Sequence, residues 1–214
     1  MSDFTLVIGN KNYSSWSLRG WLALKRTGAA FDEVLIALDQ PETAEQLRIH
    51  SPSSKVPVLK TADNVIWESL AIAEYLADQF PAAGLWPEDS NARAIARAVS
   101  SEMHSGFVEV RSQMPMDLRN TFPAPERNGP LDAEINRIDT IWQRCRERFG
   151  SGGPFLFGTF TIADCMFAPV VGRFSSYQID VSDDSAVYME AVLRTPEMTE
   201  WMDGARSEPW VINQ

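Results

Sequence analysis

The run Phe4-Thr5-Leu6-Val7-Ile8 is short, apolar and rich in β-branched residues, and it stops at Gly9-Asn10. That pattern predicts a buried strand. The period then lengthens. Trp16, Leu18, Trp21, Leu22 and Leu24 suit one face of a helix, with Ser14-Ser15 in front as an N-cap and Gly28 behind Lys25-Arg26 as a stop. Residues 34–38, all apolar, predict a second strand, and 43–50 a short helix. Val56-Pro57-Val58-Leu59 and Val65-Ile66-Trp67 predict a hairpin about Ala62-Asp63-Asn64. Ser69 then caps a helix carrying Leu70, Ile72, Ala73, Tyr75 and Leu76, closed by Phe80-Pro81. Strand and helix alternate and end in a hairpin and a helix. This order predicts an α/β layer with a mixed sheet over residues 1–80.

Residues 81–91 combine prolines, a glycine and acidic side chains, and read as a linker. Beyond them the strand patterns stop. Helical spacing marks 92–113, 131–149 and 161–174, with shorter helices at 185–193 and 196–204, while 114–130 is proline-rich and loop-like. The expected second domain is all-α and spans 92–214.

Charge narrows the partners. The chain of 214 residues carries a formal net charge of −10, which repels nucleic-acid phosphates and anionic membrane surfaces. A small anionic ligand stays open, because a local field can oppose the global one. No apolar run is long enough to span a bilayer. Met1-Ser2-Asp3-Phe4 lacks the basic and apolar regions of a secretion signal. Cys145 and Cys165 stand alone and suit a reducing compartment, so a cytoplasmic location is expected. His50 and His104 have no cysteine partner nearby, and no metal site is expected.

Two places suggest chemistry. Pro57 enters a strand that cannot use its missing donor. A cis Val56–Pro57 bond would resolve this and offer the Val56 backbone groups to an extended peptide; an ordinary trans edge proline is the alternative. Glu68-Ser69 opens the next helix. There a hydroxyl and free N–H groups can hold a carboxylate while Glu68 holds an ammonium, matching the zwitterionic end of an amino acid; a plain helix cap is the alternative.

The run Ser54-Lys55-Val56-Pro57-Val58-Leu59, followed by Trp67-Glu68-Ser69-Leu70-Ala71-Ile72-Ala73-Glu74-Tyr75-Leu76, resembles the glutathione-binding core of the cytosolic glutathione transferases. Gly158-Thr159-Phe160-Thr161-Ile162-Ala163-Asp164 resembles their helical-domain signature, with Thr161 and Asp164 as a capping box. The resemblance implies an α/β thioredoxin-like N-terminal domain that binds glutathione, plus an all-α C-terminal domain that lines the site of a small electrophile. It implies glutathione as cosubstrate, no metal, and a homodimer.

The resemblance also places the thiol-activating group near the start of the first helix. A free thiol of this kind has a pKa of about 8.5, and a hydroxyl at a helix N-terminus lowers it. The candidates are Asn12, Tyr13, Ser14 and Ser15; Ser14 comes first, then Ser15, then Tyr13, each with helix capping as its alternative. The serine pattern is similar to the zeta class. No cysteine lies here, so thiol–disulfide reduction by the protein is not expected. Lys55 would meet the glycine carboxylate of glutathione or simply face solvent. Arg19 is expected to be exposed or salt-bridged. Arg173, before Phe174, would bind an acidic substrate as in the zeta class, or serve as a cation at a helix end. The implied activity is conjugation of hydrophobic electrophiles, or cis–trans isomerisation of a maleyl diketo acid. The alternative is a non-catalytic binding or assembly module with the same fold.

Overall fold

The computed structural model describes residues 3–212; Met1, Ser2 and the last two residues of the expected second domain lie outside them. The N-terminal half runs β1 (Phe4–Gly9), α1 (Ser15–Arg26), β2 (Phe31–Ile36), α2 (Thr43–His50), β3 (Val58–Lys60), β4 (Val65–Trp67) and α3 (Ser69–Gln79). Among the described residues these strands form one sheet of order β2-β1-β3-β4. β2 runs parallel to β1, while β3 is antiparallel to both β1 and β4. Alternation along β1 divides its side chains. Leu6 and Ile8 join Leu18, Trp21, Leu22, Ile72 and Leu76 in the main core, and Val7 packs with Ile36 and Val58 on the other face. α1 comes close to β3 at Gly20, where an added Cβ would sit 3.2 Å from Pro57 Cγ.

A short 3-10 turn at Pro81–Ala83 leads into a run of helices among the described residues: α4 (Ser90–Ser105), α5 (Val108–Gln113), α6 (Gly129–Phe149), α7 (Ile162–Ser176), α8 (Asp183–Leu193) and α9 (Pro196–Ser207). α7 is apolar nearly all round and buried, with α1, α4 and α8 packed against it. Its first turn is tied down by Asp164, whose carboxylate accepts the Thr161 N–H at 2.7 Å and the Leu156 N–H at 3.1 Å. The two halves meet where α1 packs on α7.

Four elements depart from their sequence patterns. The strand expected from Val56 starts only at Val58, so Val56 and Pro57 precede β3. The second strand starts at Phe31 and ends at Ile36, because pairing with β1 begins at Phe4↔Phe31 and Leu38 instead donates its N–H to Asn10 Oδ1 at 2.7 Å. The helix expected over 92–113 breaks at Gly106-Phe107. Phe107 adopts φ 55° and buries its ring, so the core takes the aromatic group at the expense of helical continuity. Ser69 does not cap α3. Glu68 holds the cap position with φ 70° and no side-chain cap bond, and Ser69 is the first helical residue.

Candidate active site

Several segments enclose a cavity of about 190 Å³ lined by Trp16, Lys55, Val56, Pro57, Glu68, Ser69 and His104, among others. The Val56–Pro57 bond is cis. The preceding loop is closed by Ser51, whose hydroxyl donates to Lys55 O at 2.7 Å and accepts the Lys55 N–H at 3.1 Å. Glu68, in its left-handed conformation, is costly for a residue with a Cβ. Its carboxylate stays half exposed, 3.5 Å from His104 Nε2. Burial pushes the His104 imidazole below its usual pKa, partly countered by Glu68. The Ser69 hydroxyl is buried at the N-terminus of α3 and has no hydrogen-bond partner among the described residues. An orphaned buried hydroxyl beside free helical N–H groups suits a carboxylate ligand.

The turn after β1 carries the candidate hydroxyls, and each has a different partner. Asn12 is a strut: its amide nitrogen donates to Asp117 Oδ1 at 2.9 Å, and its oxygen accepts the Leu118 and Arg119 N–H groups. Glu208 clamps the same turn from the C-terminal segment, accepting the Lys11 N–H at 2.6 Å and the Asn12 N–H at 3.2 Å. The Tyr13 hydroxyl accepts from Arg119 Nη2 at 2.7 Å and faces a groove of about 720 Å³ shared with Asp117, Phe122, Tyr177 and Val211. Ser14 caps α1. Its hydroxyl donates to Ser17 Oγ at 2.7 Å and accepts the Ser17 N–H at 3.4 Å. Ser15 opens α1, and its Oγ accepts from Arg173 Nη2 at 3.2 Å.

Behind this turn lie Arg19, Arg111 and Arg173. Arg19 is neither exposed nor salt-bridged: it is 1% exposed, donates from Nε to Met166 O at 2.9 Å, and stacks 4.3 Å from the Trp16 ring centroid. Its position on the face of α1 that meets α7 leaves it no route to solvent. Arg111 sits 5.6 Å from the same ring. Arg173 lies in the last turn of α7 but points inward, with Nη1 on Met114 O at 2.7 Å. Burial, then the Arg111 charge, pushes Arg173 down to about 10, so it stays cationic at neutral pH. Among the described residues Arg19 Nη1 and Arg173 Nε have no partner, and no carboxylate pairs with any of the three. Mutually repelling cations, two of them buried, without a counter-ion among the described residues favour an anion nearby.

The lone cysteines stand apart from this chemistry. Both are free and buried, and burial pushes Cys145 up to about 12. No described helix is long and apolar enough to cross a membrane.

The N-terminal domain model of the glutathione S-transferases matches residues 13–79, and their C-terminal domain model matches residues 129–204. The chain belongs to the glutathione transferase family. This glutathione transferase is 36% identical over 172 residues to a probable maleylacetoacetate isomerase of Caenorhabditis elegans, covering 78% of the chain and 77% of that protein. It is 27% identical over 181 residues to a maleylpyruvate isomerase of Ralstonia sp, covering 80% and 85% respectively. A glutathione transferase homologue from Burkholderia gl BGR1, solved with bound glutathione, superposes with a TM-score of 0.73 at 22% identity over 97% of this chain and all (100%) of its own. A Tau class transferase from mango superposes at 0.72 with 18% identity, over 95% and 96%. These structures share the fold: a thioredoxin-like half followed by a helical half.

The residues quoted for the resemblance divide between two places. Lys55, Val56, Pro57, Glu68 and Ser69 line one cavity. Ser14, Ser15 and Tyr13 sit on the adjoining turn, and Arg173 reaches that turn from α7. Sequence reasoning missed Trp16, His104 and Arg111. The only available signal was the three-residue spacing of Trp16 and Arg19 on one helical face.

Proposed function

We propose that this glutathione transferase binds glutathione in the 190 Å³ cavity and presents its thiolate to a small, acid-bearing electrophile. The observation that carries the binding is the orphaned Ser69 hydroxyl beside Glu68, Val56 and Pro57. Ser69 and the α3 N–H groups take the γ-glutamyl carboxylate, Glu68 takes its ammonium, the Val56 backbone pairs with the peptide, and Lys55 reaches the glycine carboxylate. Bound glutathione supplies the sulfur nucleophile. A hydroxyl of the Tyr13–Ser14–Ser15 turn, at the positive end of α1, stabilises the charge on that sulfur.

The uncompensated guanidiniums favour an acidic partner over a neutral one. Arg111, partly exposed, meets its carboxylate, and the buried Arg173 adds field from behind. Relatives named for maleyl acids support cis–trans isomerisation, in which the sulfur adds to the double bond, the single bond so formed rotates, and the sulfur leaves. Conjugation stops after addition or displacement.

We also infer a homodimer in the cytoplasm. Val65 and Trp67 on edge strand β4, and Val108 on α5, are exposed apolar groups that a second copy would cover. The free thiols suit a reducing compartment.

Titration calorimetry with glutathione, then a thiolate absorbance titration, then turnover of maleylacetone, tests the reading. Binding, a lowered thiol pKa and isomerisation are the expected results. No binding would overturn the reading, and binding with an ordinary thiol pKa would make the protein a non-catalytic module.

A further inference from the structure

The hydroxyls of the β1–α1 turn differ in what their protons are free to do. Ser14 spends its proton on Ser17 Oγ, which also accepts the Gly9 N–H at 3.0 Å, so the Ser14 hydroxyl belongs to a closed capping network. Tyr13 keeps a spare donor, but its hydroxyl lies on the groove with Asp117 and Phe122, and its partner Arg119 is committed to the C-terminal segment. Ser15 accepts from Arg173, and among the described residues no acceptor takes its proton. It is the first residue of α1, where the helix end is positive, and it immediately precedes Trp16, which lines the glutathione cavity.

We propose that Arg173 is the positioning residue for thiol activation: by donating to Ser15 Oγ it turns the Ser15 hydroxyl proton toward the sulfur of bound glutathione, and its charge favours the thiolate. The inference rests on the glutathione-binding reading above. Ser15 is then the residue that touches the sulfur. No proton passes to the protein in this step; the thiol proton leaves to water and the Ser15 O–H remains intact as a donor. Two hydrogen bonds fix the arrangement. Arg173 is 5% exposed and anchored through Nη1 to Met114 O, so its second nitrogen can hold Ser15 with little freedom. The other charged or titratable groups facing the cluster are Arg19, Arg111, Tyr177 and, across Trp16, His104 with its partner Glu68. Arg19 and Arg111 act in the same direction as Arg173, so removing one guanidinium weakens the field without abolishing it.

The test is the thiol pKa of glutathione bound to the full-length protein, read from thiolate absorbance against pH, with affinity measured separately by calorimetry. Ser15→Ala and Arg173→Gln are each expected to raise that pKa by roughly one unit, with affinity changed much less. The double variant should shift it by less than the sum of the two single shifts, because part of the Arg173 effect passes through Ser15. Arg173→Lys keeps the charge, loses the fork, and is expected to fall between parent and Arg173→Gln. Should Arg173→Gln fail to fold, the Lys variant decides: a raised thiol pKa supports the proposal and a parental one overturns it. A parental pKa in folded Arg173→Gln overturns it as well. So does a larger shift in Ser14→Ala or Tyr13→Phe than in Ser15→Ala. Failure of the parent protein to bind glutathione would overturn the functional reading itself, and is told apart by calorimetry before any variant is made.

Discussion

Arg119 donates to the Tyr13 hydroxyl at 2.7 Å and, from the same guanidinium, to the carbonyls of Glu208 and Trp210. One side chain thus ties the turn after β1 to the C-terminal segment. Removing it leaves a hydroxyl and two carbonyls without a donor. Arg119→Ala is expected to cost about 1–3 kcal/mol of stability, and Tyr13→Phe about 1 kcal/mol, with the pair less than additive. Urea denaturation of the four proteins in this cycle measures it. An additive pair would show that the two residues act independently.

Asp164 gives a pH dependence with a defined sign. Burial raises its pKa from the ordinary 3.8 to about 6. Between those values the folded protein holds a proton that the unfolded chain has lost. This carboxyl's contribution therefore falls as pH rises from about 4 to about 6 and is level above, by on the order of 2–3 kcal/mol. Asp164→Asn cannot titrate. The stability difference between parent and Asp164→Asn should shift against the parent across that window. A difference constant from pH 4 to 7 would mean that the carboxyl ionises normally.

Glu68 and Ser69 are expected to set glutathione affinity. Glu68→Gln removes a charge facing the ammonium, and Ser69→Ala removes a hydroxyl with no other partner among the described residues. Hydrogen bonds to charged groups contribute roughly 1.5–3 kcal/mol, so about a tenfold weakening or more is expected in each. Calorimetry reads this directly, and unchanged affinity in both variants would place the γ-glutamyl group elsewhere.

Arg111 should separate acidic from neutral substrates. It is partly exposed beside Trp16 and has no carboxylate partner among the described residues. Arg111→Met is expected to lower kcat/KM for maleylacetone at least tenfold, the scale of one charged hydrogen bond. A neutral aromatic halide should lose much less, only what the weaker field on the thiolate costs. Arg173 variants, by contrast, should slow both substrate types, because they act on the thiol. Equal losses on both substrates in Arg111→Met would remove the acid from the proposal.

A homodimer is expected at micromolar concentration. Light scattering should give twice the 24.0 kDa chain mass, and Trp67→Glu on exposed β4 should shift it toward the monomer. A single-chain mass for the parent would overturn the inference.

Local patterns determined much of this protein. The alternation of Leu6, Val7 and Ile8 specified a strand with two buried faces, and both faces are filled. The spacing from Trp16 to Leu24 specified α1. Val56-Pro57 with Glu68-Ser69 marked the cavity wall, and Thr161 with Asp164 marked the start of α7. Each of these signals is encoded within a few residues, where period and capping chemistry act. Tertiary structure decided the rest. Nothing near Phe107 in sequence announces that the core will take its ring and break a helix. Ser69 looked like a cap until Glu68 took that position and left its hydroxyl free. Ser15 and Arg173 are 158 residues apart, and Arg19 becomes a buried cation only because α1 packs on α7. Side chains brought together from separate elements carry no common period. Their chemistry is set by which groups are left without partners once the helices have closed on the sheet, and that is a property of the assembled core.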